Sequence, residues 1–95
     1  MAIEAKHVAG KNKGDIKLFA LSTCIWCGKT KKLLDELDVE YNCIDVDLLD
    51  SEDQQEALSE IRKYNPAGGF PTMVIDSKDS IVGFDESKIR EKFEK

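Results

Sequence analysis

Two cysteines separated by two residues, Cys24-Ile25-Trp26-Cys27, stand where a strand-like run gives way to a helix-like one, and this placement constrains the chain most. Upstream, Ile16, Leu18 and Ala20 alternate with Lys17, Phe19 and Leu21. Both faces become apolar toward the end of Asp15 to Leu21, as in a central strand buried on both sides. Ser22 and Thr23 interrupt it. Downstream, from about Cys27 to Leu37, Thr30, Leu33, Leu34 and Leu37 fall at i, i+3, i+4 and i+7 and form one helical stripe. Lys29, Lys31, Lys32, Asp35 and Glu36 fill the rest of that helix.

This arrangement suits thiol chemistry. Backbone N–H groups at a helix start lack intrahelical partners and favour an anion placed before them. Cys24 falls in the loop just before the helix and Cys27 in its first turn. A free thiol near pKa ~8.5 is mostly protonated at neutral pH, and C-x-x-C sites lower that value. Cys24 is therefore expected to be the nucleophile and the more exposed thiol. Cys27 is expected to be the shielded, resolving one, displacing a mixed disulfide at Cys24. Lys29 and Lys31 add positive charge nearby, although a Lys early in a helix opposes the dipole.

Composition narrows the alternatives. The chain has 95 residues, enough for one domain with a modest core. Charged residues make up 35% and hydrophobic ones 41%, the balance of a globular rather than a disordered protein. The net charge is −5 with no basic stripe, so no nucleic-acid partner is expected. No apolar run approaches the roughly 18 residues of a membrane span, so none is expected to bind a membrane. Met1-Ala2-Ile3-Glu4-Ala5-Lys6-His7 lacks the apolar stretch of a secretory signal, which predicts a cytoplasmic location. Structural disulfides are rare there, and three cysteines are an odd number.

The competing use of Cys24 and Cys27 is a metal site. Zinc needs a second pair of ligands, and only Cys43 and His7 remain. Cys43 lies in a strand-like run and reads as a small buried hydrophobe. His7 lies in an irregular segment and reads as a surface residue. Redox chemistry with no metal and no bound cofactor is the expectation.

The remaining elements follow from pattern. Residues 1–14 form an extension ending in the polar turn Gly10-Lys11-Asn12-Lys13-Gly14, with room for a short extra strand, and residues 15–95 form the domain. Val39 to Val46 reads as a second strand. Ser51-Glu52-Asp53-Gln54 reads as a capping box opening a second helix, which Asn65-Pro66 ends. Pro71 to Ile75 and Ser80 to Gly83 read as a hairpin. Asp85 caps a last helix, with Phe84 stapled to Ile89. The order β-α-β-α-β-β-α predicts an α/β fold: a four-stranded mixed sheet, its first two strands parallel, with helices on both faces.

The strand, the Cys24-Ile25-Trp26-Cys27 segment and the helix, followed by Phe70-Pro71-Thr72-Met73-Val74-Ile75 and Val82-Gly83-Phe84-Asp85, resemble the glutaredoxin branch of the thioredoxin fold over about Asp15 to Phe93. The resemblance implies a thioredoxin-like fold and a thiol–disulfide oxidoreductase that acts on disulfide-containing proteins; a monomer is expected. It implies glutathione or a thioredoxin reductase as electron donor. It also implies a cis peptide bond before Pro71, and glutathione contacts at Gly83 and Asp85, where free N–H groups at a helix terminus suit a carboxylate. Thr23, Trp26, Phe70 and Pro71 then complete the substrate surface. A proline opening a strand leaves the Phe70 backbone N–H and C=O free to pair with an extended substrate.

Three positions depart from the family pattern. Glutathione-dependent members commonly carry Lys or Arg three residues before the first cysteine, where this chain has Leu21. Gly69-Phe70 precedes the proline where Thr-Val is frequent, and Ile25-Trp26 stands in place of Pro-Tyr. Leu21, Trp26 and Phe70 suggest a flatter apolar rim suited to a protein partner. Two other readings are an iron–sulfur or metal-binding module using Cys24, and a redox sensor without turnover.

Overall fold

The strand Ile16–Ala20 (β2) occupies the centre of a sheet ordered β1-β3-β2-β4-β5 in a computed structural model that describes residues 5–94. The other elements are β1 (Lys6–Val8), α1 (Ile25–Glu36), β3 (Tyr41–Asp45), a 3-10 turn at Val46–Leu48, α2 (Ser51–Arg62), β4 (Thr72–Ile75), β5 (Asp79–Val82) and α3 (Glu86–Phe93). β2 pairs parallel with β3 and antiparallel with β4. This is the α/β, thioredoxin-like arrangement expected from the sequence.

The double-sided apolar pattern of β2 has a direct cause. Ile16, Leu18 and Ala20 join Leu34, Met73, Ile75, Ile89 and Phe93 in one buried cluster. Phe19 points the other way, into a cluster with Ile44, Val46, Ala57, Ile61 and Val74. α1 and α3 supply the first cluster, and α2 supplies the second. Burying each large side chain here is worth about 1.5–3 kcal/mol, which is why alternate residues on a central strand must all be apolar.

Among the described residues the sheet has five strands, a short strand of the N-terminal extension joining the expected four. β1 pairs antiparallel with β3, Lys6 opposite Cys43 and Val8 opposite Tyr41. His7 Nε2 lies 3.1 Å from Glu40 Oε2. Gly10 lets the chain cross close to Asp38–Glu40: a Cβ there would stand 2.7 Å from the Glu40 nitrogen. Beyond it, the Lys11 N–H donates to the Asp38 carbonyl (2.7 Å) and the Glu40 N–H to the Lys11 carbonyl (2.9 Å). A three-residue strand is too short to show a period in sequence.

Two boundaries also shift. The strand expected over 39–46 shortens to Tyr41–Asp45, because the Val39 N–H donates to Leu34 and Val46 opens the 3-10 turn. The second helix is capped by Asp50, not Ser51: the Asp50 carboxylate accepts the Asp53 N–H at 2.9 Å, and Gln54 Nε2 donates to the Leu49 carbonyl. Asp is as good a cap as Ser, so the residue with the extended backbone takes the position. The hairpin turns through Asp76 and Ser77, both at positive φ (54° and 56°), the geometry of a type I′ turn. Among the described residues no helix is long and apolar enough to cross a membrane.

Candidate active site

Helix α1 begins at Ile25, earlier than the sequence pattern suggested, because Cys24 itself is its N-cap. Cys24 has extended backbone (φ −84°, ψ 122°), and its sulfur accepts the Cys27 N–H at 3.2 Å. The Gly28 N–H closes the first helical bond onto the Cys24 carbonyl at 3.0 Å. No acidic side chain lies in the first turn to cancel the field of these N–H groups. All three cysteines are free.

The two thiols of the pair differ sharply. Burial pushes the Cys24 thiol up, but hydrogen bonds from the Cys27 thiol and from the Cys27 and Trp26 N–H groups outweigh it, helped by the charge of Lys31. The net effect holds Cys24 below the ordinary thiol value. Cys27 is fully buried, and burial, its hydrogen bond to Cys24 and the negative charge of Cys24 push it up to about 12. One thiol is therefore biased toward the anion and the other is kept protonated.

The loop before Cys24 is fixed from a second element. The Ser22 N–H donates to Asp47 Oδ1 at 2.8 Å and the Ser22 hydroxyl donates to Asp47 Oδ2. Ala20 pairs with Asp45 in the β2–β3 register, so Ser22 meets Asp47 by continuation of that register. The Cys24 N–H then donates to the Leu21 carbonyl at 3.2 Å. Within α1 the buried Thr30 hydroxyl donates to the Trp26 carbonyl at 3.0 Å and stiffens the first turn. Lys31, one turn beyond Cys27 on the same face, lies 2.9 Å from Asp45.

Around the sulfur the surface is apolar. Ile25 is 74% exposed and Trp26 55% exposed. The Trp26 ring stacks on Phe84, centroids 6.2 Å apart, and Lys29 Nζ sits 4.5 Å from the indole centroid. Lys29 thus serves Trp26, while Lys31 acts on the thiols. Leu21 is half-buried against the second core cluster. Phe70 is half-buried and packs against both clusters.

The Phe70–Pro71 peptide is cis, and Pro71 is buried. The Pro71 carbonyl accepts the Gly83 N–H at 2.8 Å, whereas the Phe70 N–H and C=O have no partner among the described residues. Gly83 needs its positive φ of 77°, which favours glycine. Asp85 caps α3 by accepting the Lys88 N–H at 3.1 Å. Thr23 lies exposed in the turn ahead of Cys24. Cys43 stands apart, buried on β3, its sulfur 3.9 Å from Asp45 Oδ1. Among the described residues no three His, Cys, Asp or Glu side chains form a metal-ligand set.

Sequence reasoning missed Asp47, Asn65 and the partnership of Phe84 with Trp26. Only the strand register reveals the first. In the sequence Asn65 marks only a helix stop, whereas in the fold it is buried and fully hydrogen-bonded beside the cis-proline loop.

Residues 16–79 match the glutaredoxin family model. An uncharacterized glutaredoxin-like 8.6 kDa protein of Clostridium pasteurianum is 34% identical over 80 residues, spanning 84% of this chain and 99% of that protein. The glutaredoxin of Methanosarcina mazei superposes with a TM-score of 0.88 at 44% identity, over 94% of this chain and 86% of its own. Methanoredoxin of Methanosarcina acetivorans superposes with a TM-score of 0.86 at 43% identity, over 88% of each chain. With the dithiol pair at the head of α1 and the cis-proline loop in place, the chain belongs to the glutaredoxin family.

Proposed function

We propose that this redoxin reduces disulfide bonds in protein substrates by dithiol exchange, with Cys24 as nucleophile and Cys27 as resolving thiol. The observation that carries this reading is the opposite bias on the two thiols: Cys24 held toward the anion, Cys27 held protonated and buried. Cys24 thiolate attacks one sulfur of the substrate disulfide, that S–S bond breaks, and the departing thiolate takes a proton from solvent.

The mixed disulfide removes the negative charge from Cys24. Two causes that raise Cys27, its hydrogen bond to Cys24 and the charge of Cys24, then disappear. Cys27 becomes easier to deprotonate when its thiolate is needed. It attacks Cys24, the second substrate sulfur leaves as a thiol, and two electrons have passed to the substrate.

The exposed Ile25 and Trp26, the latter stacked on Phe84, support an apolar protein contact. Thr23 flanks it, and the free Phe70 backbone beside Pro71 supports pairing with an extended segment. Glutathione or a thioredoxin reductase restores the dithiol in a cytoplasmic setting. Gly83 and the α3 terminus at Asp85 are the positions for a glutathione carboxylate.

The test is trapping. Cys27→Ser, mixed with a disulfide-containing protein, should accumulate a mixed disulfide at Cys24 seen by non-reducing mass analysis. Cys24→Ser should form none. Retention of dithiol turnover by Cys24→Ser would overturn the assignment. Reduction of the oxidised protein by glutathione alone, compared with a thioredoxin reductase, identifies the donor.

A further inference from the structure

We propose that Asn65 and Thr72 act together as a positioning clamp that sets the Phe70 backbone edge for substrate pairing. The inference rests on the reductase reading above and adds two residues to it.

Asn65 lies just beyond α2, its N–H bonded to the Ile61 carbonyl at 2.7 Å. Its side chain is buried, and both ends are engaged. Nδ2 donates to Thr72 Oγ1 at 3.2 Å and to the Gly69 carbonyl at 3.4 Å, while Oδ1 accepts the Ala67 N–H at 3.2 Å. Thr72 is fully buried, and its hydroxyl donates to the same Gly69 carbonyl at 2.7 Å.

These bonds straddle the functional dipeptide. Gly69 lies immediately before Phe70–Pro71 and Thr72 immediately after it, so the clamp ties the two ends of that short span together. Thr72 is itself held in the sheet between Phe19 and Val82. The loop is thus fixed to a helix end on one side and to the sheet centre on the other. Among the described residues, what remains unbonded within Phe70–Pro71 is the Phe70 N–H and C=O. A buried polar network with every member satisfied is worth most where it specifies geometry. Here the geometry it specifies is the edge that an extended substrate would meet.

The clamp does not touch Cys24, so it should govern substrates with a peptide backbone and not those without one. Reduced protein is mixed with a disulfide-bonded peptide or with bis(2-hydroxyethyl) disulfide, and single-turnover rates are compared. Thr72→Val is close to isosteric and removes only the hydroxyl; Asn65→Ala removes the other half; Thr72→Ser keeps the hydroxyl. Thr72→Val and Asn65→Ala should lose about tenfold toward the peptide, the scale expected for a small misplacement, and stay within about twofold toward the small disulfide. Thr72→Ser should match the wild-type peptide rate. Equal loss toward both disulfides, or no loss toward the peptide, would overturn the clamp. A wild-type protein inert toward both would overturn the reductase reading, and the inference with it.

Discussion

The Cys27 backbone N–H donates to the Cys24 sulfur across 3.2 Å, so one cysteine of the pair helps to ionise the other. Alkylation of Cys24 by iodoacetamide should therefore rise with pH to a plateau, with its midpoint lowered from that of an ordinary free thiol. The thiolate is the reacting form, so a lower midpoint means faster reaction at neutral pH. Cys27 should stay unreactive until strongly alkaline conditions, since it is pushed up to about 12. Cys27→Ala removes the thiol donor but keeps the N–H, and should raise the Cys24 midpoint. Mass spectrometry of the alkylated protein over a pH series checks all three.

Lys31 and Asp45, 2.9 Å apart, should act on Cys24 with opposite signs. Lys31 lowers the Cys24 thiol, so Lys31→Met should raise its alkylation midpoint. Asp45→Asn removes the charge that partly neutralises Lys31 and should lower the midpoint. The ion pair still reaches solvent, its side chains 29% and 25% exposed, and is expected to be worth about 1 kcal/mol, so thermal melts of both variants should shift only slightly.

The division between these two lysines shows where sequence stops informing. Lys29 and Lys31 look equivalent along the helix, and only the fold separates them. Lys29 covers the Trp26 ring, and Lys31 turns inward to Asp45. The cysteine pair, the central strand and the helix stripes were legible because each is a local pattern of fixed period. β1 was legible only as room for a short extra strand in residues 1–14, not as a placed element, because three residues carry no period. The Ser22–Asp47 contact was not legible, because it joins residues 25 apart in sequence that only the β2–β3 register brings together. The cap of α2 moved by one residue because Asp50 and Ser51 are both good caps and only the backbone chooses.

Asp47 should impart a pH dependence to stability. Hydrogen bonds from the Ser22 hydroxyl and N–H hold its carboxyl below the usual carboxylate value. Its contribution is present above the unfolded pKa of about 3.9 and is lost as pH falls through the lower folded value. Thermal melts should show Asp47→Asn less stable than wild type near neutral pH, with the gap closing on acidification. A gap that persists at the lowest pH would contradict this account.

Gly28 is an exposed glycine inside α1, and a Cβ there meets nothing within 4 Å. Gly28→Ala should stabilise the fold by about 0.5–1 kcal/mol through helix propensity, as read from urea unfolding. Cys43→Ala should do the reverse, costing about 1 kcal/mol for the small cavity it leaves. Turnover should be unchanged in Cys43→Ala, since that thiol lies on β3 and not at the head of α1 with Cys24 and Cys27.

Trp26 is the only tryptophan in the chain, and it lies between the two cysteines with its ring held against Phe84. Every photon emitted at indole wavelengths therefore originates in the first turn of α1, between the two cysteines. The protein carries its own optical gauge, so the passage between dithiol and disulfide can be followed in real time by intrinsic emission, without a label or a coupled assay.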